Sequence, residues 1–178
     1  MDGHGSVTPP GRWNQIAIEE VLGAKLNEQA TLELFAKLNM TLADTFVAVW
    51  DAKYYFWTVR PVTVAKKLFG VILQPPILTP AFPSFPSGHA AFSSAAATIL
   101  SAYFPNRKTQ LRAMADEAAM SRLLGGIHFR HDNVAGAILG EKIATLVLFC
   151  NDLSAGNLHR AGCISPADPE VQVTQKPH

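Results

Sequence analysis

Three short blocks of this chain hold side chains that can do chemistry together. "DAKYYFWTVRP" places Lys53 and Arg60 seven residues apart, about two helical turns, with Arg60 immediately before Pro61. "FPSFPSGHAAF" brings Ser87, Gly88 and His89 to the point where a proline-rich stretch becomes small and apolar. A helix starting there, with Ser87 as its N-cap, exposes unpaired N–H groups and the positive end of its dipole. Gly88 lets a ligand come close to that backbone. The third block, "SRLLGGIHFRHDN", holds Arg122, His128 and Asp132. On a helix starting at His128, Asp132 lies four residues on along the same face and accepts from the imidazole. That fixes the tautomer and makes the other ring nitrogen a better ligand or nucleophile.

Taken singly, each block has an ordinary reading: a helix cap, two snorkelling cations, a surface histidine beside a helix-start aspartate. Taken together they supply Lys53, Arg60 and Arg122 as cations and Ser87 and Gly88 as neutral donors. Such a set matches a tetrahedral oxyanion of high charge. His128, backed by Asp132, suits attack or coordination, and His89 suits proton transfer.

The elements that must position these residues read as helices throughout. Helices are expected over 14–26, 29–57, 61–69, 87–103, 107–124 and 128–150, and no strand alternation stands out. In the second, Leu32, Phe35, Leu38, Leu42, Phe46, Val49 and Trp50 recur at three-to-four spacing. Residues 70–86 carry Pro75, Pro76, Pro80, Pro83 and Pro86 and read as a stiff irregular loop. The expectation is an all-α helical bundle over 1–152, followed by a polar, loosely ordered tail over 153–178.

The 178 residues are 48% hydrophobic and 16% charged, with net charge +1, enough for one domain with a sizeable core. That charge argues against nucleic acid as a partner. No signal peptide is visible, and the apolar stretch over 134–150 is interrupted by Glu141 and Lys142, so a soluble chain without a membrane span is expected. Cys150 and Cys163 are too few to indicate a disulfide framework. A nucleophile-elbow serine is missing from "FPSGH". His128, His131 and Asp132 are too few, with unsuitable spacing, for zinc. His131 reads as a solvent-facing neighbour; His4, His159 and His178 carry no argument.

The order Lys53-x6-Arg60-Pro61, Pro86-Ser87-Gly88-His89, Ser121-Arg122-x5-His128-x3-Asp132 resembles the three-part signature of the type-2 phosphatidic acid phosphatase (PAP2) superfamily. That superfamily includes vanadium-dependent haloperoxidases and bacterial acid phosphatases. The segment "DGHGSVTPPGRWNQIA" is further similar to the chloroperoxidase-like branch, which makes Asp2 a candidate partner for the site arginines. Trp50 and Phe82 match aromatics that line the halide side of the pocket in that branch. The similarity covers about residues 2 to 140 and corresponds to the C-terminal half of longer members. A missing N-terminal half, or self-association into a homo-oligomer, is therefore expected to cover an exposed face.

The resemblance implies vanadate bound through His128 and held by Lys53, Arg60, Ser87, Gly88 and Arg122, with His89 managing protons. The implied reaction oxidises a halide with hydrogen peroxide to a hypohalous species, which passes to a small organic acceptor. The alternative is a PAP2-type acid phosphatase: His128 attacks a phosphate ester, forming a phosphohistidine, and His89 protonates the leaving oxygen. A third reading is an inactive helical fragment that binds an oxyanion without turnover.

Overall fold

A computed structural model of the chain describes residues 7–151. Asp2, His4, Cys163, His159, His178 and the expected tail over 153–178 lie outside the described residues. The described chain runs α1 (Pro9–Ala24), α2 (Glu28–Phe56), α3 (Pro61–Phe69), α4 (Gly88–Tyr103), a single 3₁₀ turn (Pro105–Arg107), α5 (Lys108–Leu124) and α6 (Arg130–Asn151). No strand occurs among the described residues, as the patterning led us to expect.

Most boundaries agree with the sequence reading to within two residues. The exception is α1, which starts at Pro9, well before the expected residue 14. Pro9 and Pro10 occupy the first turn, where a missing N–H costs nothing because no intrahelical acceptor exists for it. In α2 the inward stripe is Leu34, Leu38, Thr41, Leu42, Thr45, Val49 and Lys53, while Leu32 faces out.

The central element is α4, with ten buried residues, mostly alanine and serine. It packs against α1, α2, α5 and α6. Small side chains leave room for close helix approach, and α6 answers with its own glycines. A Cβ on Gly136 would lie 2.4 Å from the Ser87 carbonyl oxygen, and one on Gly140 would lie 2.0 Å from that of Ala91. The two backbones are therefore in direct contact along this seam. Trp13 Nε1 donates to Ser93 Oγ at 2.9 Å and ties α1 to α4. Asn133 Nδ2 donates to the Ala119 carbonyl at 2.6 Å and ties α6 to α5.

Among the described helices, α6 is the one long and apolar enough to cross a membrane by length and composition. The interruption by Glu141 and Lys142 had argued against this on sequence. In the fold its glycine face is closed against α4, and Glu141 pairs with Arg112 of α5. By contrast, α3 makes no packing contact with another described helix.

Candidate functional site

The three blocks meet where the C-terminal end of α2, the N-terminus of α4 and the turn before α6 converge. A cavity of about 390 Å³ opens there, whose lining includes Lys53, Arg60, Gly88, His89 and His128. Phe46, Trp50, Phe82, Phe92 and Ile127 supply apolar lining.

Ser87 caps α4: its side chain accepts from the Ala90 N–H, as expected of an N-cap. Its own N–H donates to the Asp132 carbonyl at 2.9 Å, so the start of α4 is fastened to the first turn of α6. Gly88 opens the helix on the cavity. A Cβ there would meet Phe92, Trp50 and Val49 at ordinary contact distances, so a side chain would take up ligand space without forcing the backbone apart.

Two expected geometries are corrected. His128 does not start a helix; α6 begins at Arg130, and His128 lies in the turn that follows Gly125 and Gly126. Gly126 has φ +70°, a conformation that favours glycine, and it lets the chain reverse there. His128 and Asp132 nevertheless meet, Nδ1 to Oδ2 at 3.1 Å, because Asp132 Oδ2 also accepts the Phe129 N–H at 3.0 Å in the manner of a helix cap. Likewise Lys53 and Arg60 do not share a helix face: α2 ends at Phe56, Trp57 takes a left-handed conformation, and Arg60 is the N-cap of α3. The turn, not helical spacing, brings the two cations together. Tyr54 and Trp57 are exposed, and the aromatic ring beside Lys53 is that of Phe82, 5.3 Å from Nζ to the centroid.

The Lys53 ammonium is fully buried and donates to the carbonyls of Pro83 (3.0 Å), Ser84 (3.0 Å) and Pro86 (2.6 Å). It thus pins the proline loop that leads into α4, and its three donors are engaged. Desolvation, with repulsion from Arg60 added, lowers its pKa to about 7 against a smaller opposing attraction from Asp132. Arg60 Nε donates to the Phe82 carbonyl at 3.0 Å, and Nη1 to the Ile127 carbonyl at 2.8 Å. Its Nη2 is buried and has no hydrogen-bond partner. Burial lowers the Arg60 pKa to about 10, which leaves it charged at neutral pH.

Burial lowers the His128 pKa to about 4, and the nearby Arg60 and Lys53 charges reinforce this against the raising effect of Asp132. Burial alone would raise the Asp132 pKa, but hydrogen bonds from His128, Ser84 and the Phe129 N–H outweigh it and hold the group below its ordinary value. At neutral pH the pair is therefore carboxylate and neutral imidazole. An ionised carboxylate only accepts, so Nδ1 carries the proton and Nε2 carries the lone pair. Arg60 Nη1 stands 3.2 Å from that Nε2.

Ser84 escaped the sequence reading. It is fully buried, and its Oγ donates to Asp132 Oδ2 at 2.6 Å. A signal was present: Phe82-Pro83-Ser84 and Phe85-Pro86-Ser87 form a tandem repeat, and each serine faces the first turn of α6 differently. Phe46, read as part of the apolar stripe of α2, lies over Trp50, ring centroids 4.4 Å apart, on the cavity wall. Trp50 and Phe82 do reach the cavity, their centroids 5.5 Å apart. Arg122 is buried near the end of α5, its Nε donating to Ser121 Oγ at 3.0 Å, and it is not among the residues that line the cavity. His89 does line it. His131 is exposed, as expected, yet its Nε2 lies 3.1 Å from Asp132 Oδ1.

Among the described residues, the cavity wall presents cations, imidazoles and a helix N-terminus, and no carboxylate. No group of three or more potential metal-ligating side chains occurs among the described residues. The orphaned Arg60 Nη2 and the donor set fit an anion such as phosphate or vanadate and do not fit a bare cation.

The chain is similar to several known proteins. A non-specific acid phosphatase of Salmonella typhi is 32% identical over 124 residues, 67% of this chain and 48% of its own length. The corresponding Salmonella typhimurium protein matches to the same extent. Among solved structures, the first bacterial vanadium-dependent iodoperoxidase superposes with a TM-score of 0.75 at 30% identity, over 82% of this chain and 40% of that one. The chain thus spans about half the length of the curated relatives it matches. The family model of the PAP2 superfamily matches residues 33–153, two thirds of the sequence, and the chain belongs to that superfamily.

Proposed function

We propose that the chain is a vanadate-dependent haloperoxidase, oxidising a halide with hydrogen peroxide. The observation that carries this reading is the aromatic wall against the cationic end of the cavity. The Phe82 ring centroid lies 5.3 Å from Lys53 Nζ and 5.0 Å from Arg60 Cζ, with Trp50 beside it. Both cations lie over the face of the Phe82 ring, which shields them on that side, so a halide would be drawn to their charge from the open cavity beside Trp50 and Phe82. The likeness to a vanadium iodoperoxidase supports the same choice.

In this reading the Arg60 guanidinium, the N–H groups at the start of α4 and the Lys53 charge hold the oxyanion oxygens, with Ser87 fixing the start of α4 as its cap and Arg122, outside the cavity lining, adding positive charge from behind. His128 presents Nε2, and Asp132 keeps the proton on Nδ1. Arg60 Nη1, now beside Nε2, turns to the anion as it enters. His89, on the cavity wall, delivers and removes protons. Vanadate, when bound, supplies a Lewis acid that activates peroxide without changing its own oxidation state.

A second reading has its own support in the neutral His128, whose lone pair is available at neutral pH for attack on phosphorus. The bond from phosphorus to the ester oxygen breaks as Nε2 bonds to phosphorus, His89 gives its proton to the departing oxygen, and water then cleaves the phosphohistidine. The curated relatives are acid phosphatases.

The two are separated on phosphate-free protein by assaying bromination or iodination of an organic acceptor with peroxide, with and without orthovanadate, beside hydrolysis of an aryl phosphate. Vanadate-dependent halogenation, lost in His128→Ala, is expected. Hydrolysis that vanadate only inhibits moves the chain to the phosphatase reading. Vanadate binding without either activity leaves an oxyanion-binding module.

A further inference from the structure

Asp132 is the carboxylate on which the site histidine depends, and its two oxygens are treated differently. Oδ2 accepts from Ser84 Oγ at 2.6 Å and the Phe129 N–H at 3.0 Å, and it meets His128 Nδ1 at 3.1 Å. Oδ1 is buried and has no hydrogen bond of ordinary geometry. Standing 3.1 Å from it is Nε2 of His131, a residue whose side chain is 66% exposed. An exposed imidazole thus touches a carboxylate oxygen that water does not reach.

The ring is not loosely placed. It stacks on Phe129, centroids 5.4 Å apart and planes 8° apart, and on Phe85, 6.1 Å apart and 29° apart. Phe85 is itself met edge-on by Phe56 from the end of α2, at 5.1 Å. An ionised carboxylate only accepts, so a nitrogen at 3.1 Å from Oδ1 is favourable when it carries a hydrogen and repulsive when it presents its lone pair.

We propose that His131 is a positioning residue: held by Phe129 and Phe85, it sets its Nε2 against the outer oxygen of Asp132, an electrostatic contact and not an aligned hydrogen bond, and so fixes the carboxylate that orients His128. The carboxylate is then gripped at both ends, by Ser84 and Phe129 on one oxygen and by His131 on the other. The share of its charge drawn to Oδ1 sets how strongly Oδ2 polarises the His128 imidazole. This inference rests on the reading of His128 as ligand or nucleophile, but its geometry is independent of which reaction follows.

The test uses the full chain, labelled with ¹⁵N-histidine, and two variants. His131→Phe keeps the stack and removes the nitrogen; His131→Gln returns an N–H donor at similar reach. The first readout is the proton resonance of His128 Nδ1. It is expected to move downfield in His131→Phe, as charge returns to Oδ2, and back toward wild type in His131→Gln. The second is turnover in whichever assay the wild type supports. It is expected to fall roughly tenfold in His131→Phe with KM little changed, the lower end of what outer partners of a ligating histidine are worth, and to recover in His131→Gln. A His131→Phe protein with the wild-type resonance overturns the proposal, as does one whose loss His131→Gln does not repair. If the wild type shows neither activity, the functional reading fails while the resonance still decides the role of His131.

Discussion

His128 is neutral because burial and two neighbouring cations act against its protonation more strongly than Asp132 favours it. With a folded-state pKa of about 4 against an ordinary 6.5, the unfolded chain takes up a proton between those values that the folded chain refuses. Stability therefore falls as pH drops from 6.5 to 4, by a few kcal/mol. Urea unfolding across that range checks this, and His128→Gln is expected to flatten the slope. Ser84→Ala removes the 2.6 Å donor to Asp132 inside the protein. We expect a loss of about 1–3 kcal/mol, the cost of a buried acceptor stripped of a partner. Circular dichroism melts measure that loss. Unchanged stability would mean that water or another donor replaces the hydroxyl.

At the scale of elements, the seam between α4 and α6 sets the distance between the helix N-terminus and His128. Gly140→Ala puts a methyl group 2.0 Å from the Ala91 carbonyl oxygen, so α6 must move outward. The expected cost is about 1–3 kcal/mol of stability. A drop in affinity for sulfate should accompany it, since the link from the Ser87 N–H to the Asp132 carbonyl stretches with the seam. Gly23→Ala in α1 is the contrast: nothing lies within 4 Å of the new methyl. It should be neutral or stabilise by about 0.4–1 kcal/mol. Paired melts and sulfate titrations of the two variants separate seam packing from general helix effects.

For the whole molecule, an oxyanion bound as proposed would join the helices that converge on the cavity and should act as a staple. A ligand at a hundred times its Kd adds about 2.7 kcal/mol, a rise of roughly 5–10 °C in Tm for a domain of this size. Sulfate is a suitable probe because its charge is constant from pH 6 to 9. Lys53, with a pKa of about 7, loses its proton as pH rises, so the sulfate-induced rise should be larger at pH 6.5 than at pH 9. Arg60→Met should abolish most of it, because Nη2 is the donor left without a partner. A pH-independent shift would remove Lys53 from the anion's field. Much apolar surface also stays exposed, including Trp57, Phe69, Ile72 and Leu78 between the end of α2 and the proline loop.

Much of this was readable along the chain. Proline, glycine and apolar spacing mark nearly every helix end, because those signals act within a turn or two of backbone. The residues proposed to hold an oxyanion could be picked out by type and order, and the fold brings Lys53, Arg60, Gly88, His89 and His128 to one cavity. What the chain alone did not disclose depends on contacts distant in sequence. Lys53 was read as a cation for the anion, but three carbonyls thirty or more residues away occupy its donors. Ser84 and His131 look like a loop serine and a surface histidine until folding places each beside an oxygen of Asp132. Residue types and spacing determined which groups could gather. Only the tertiary structure decided which hydrogen bonds they make, because burial removes water as the competing partner and leaves each group with whatever the fold has placed beside it.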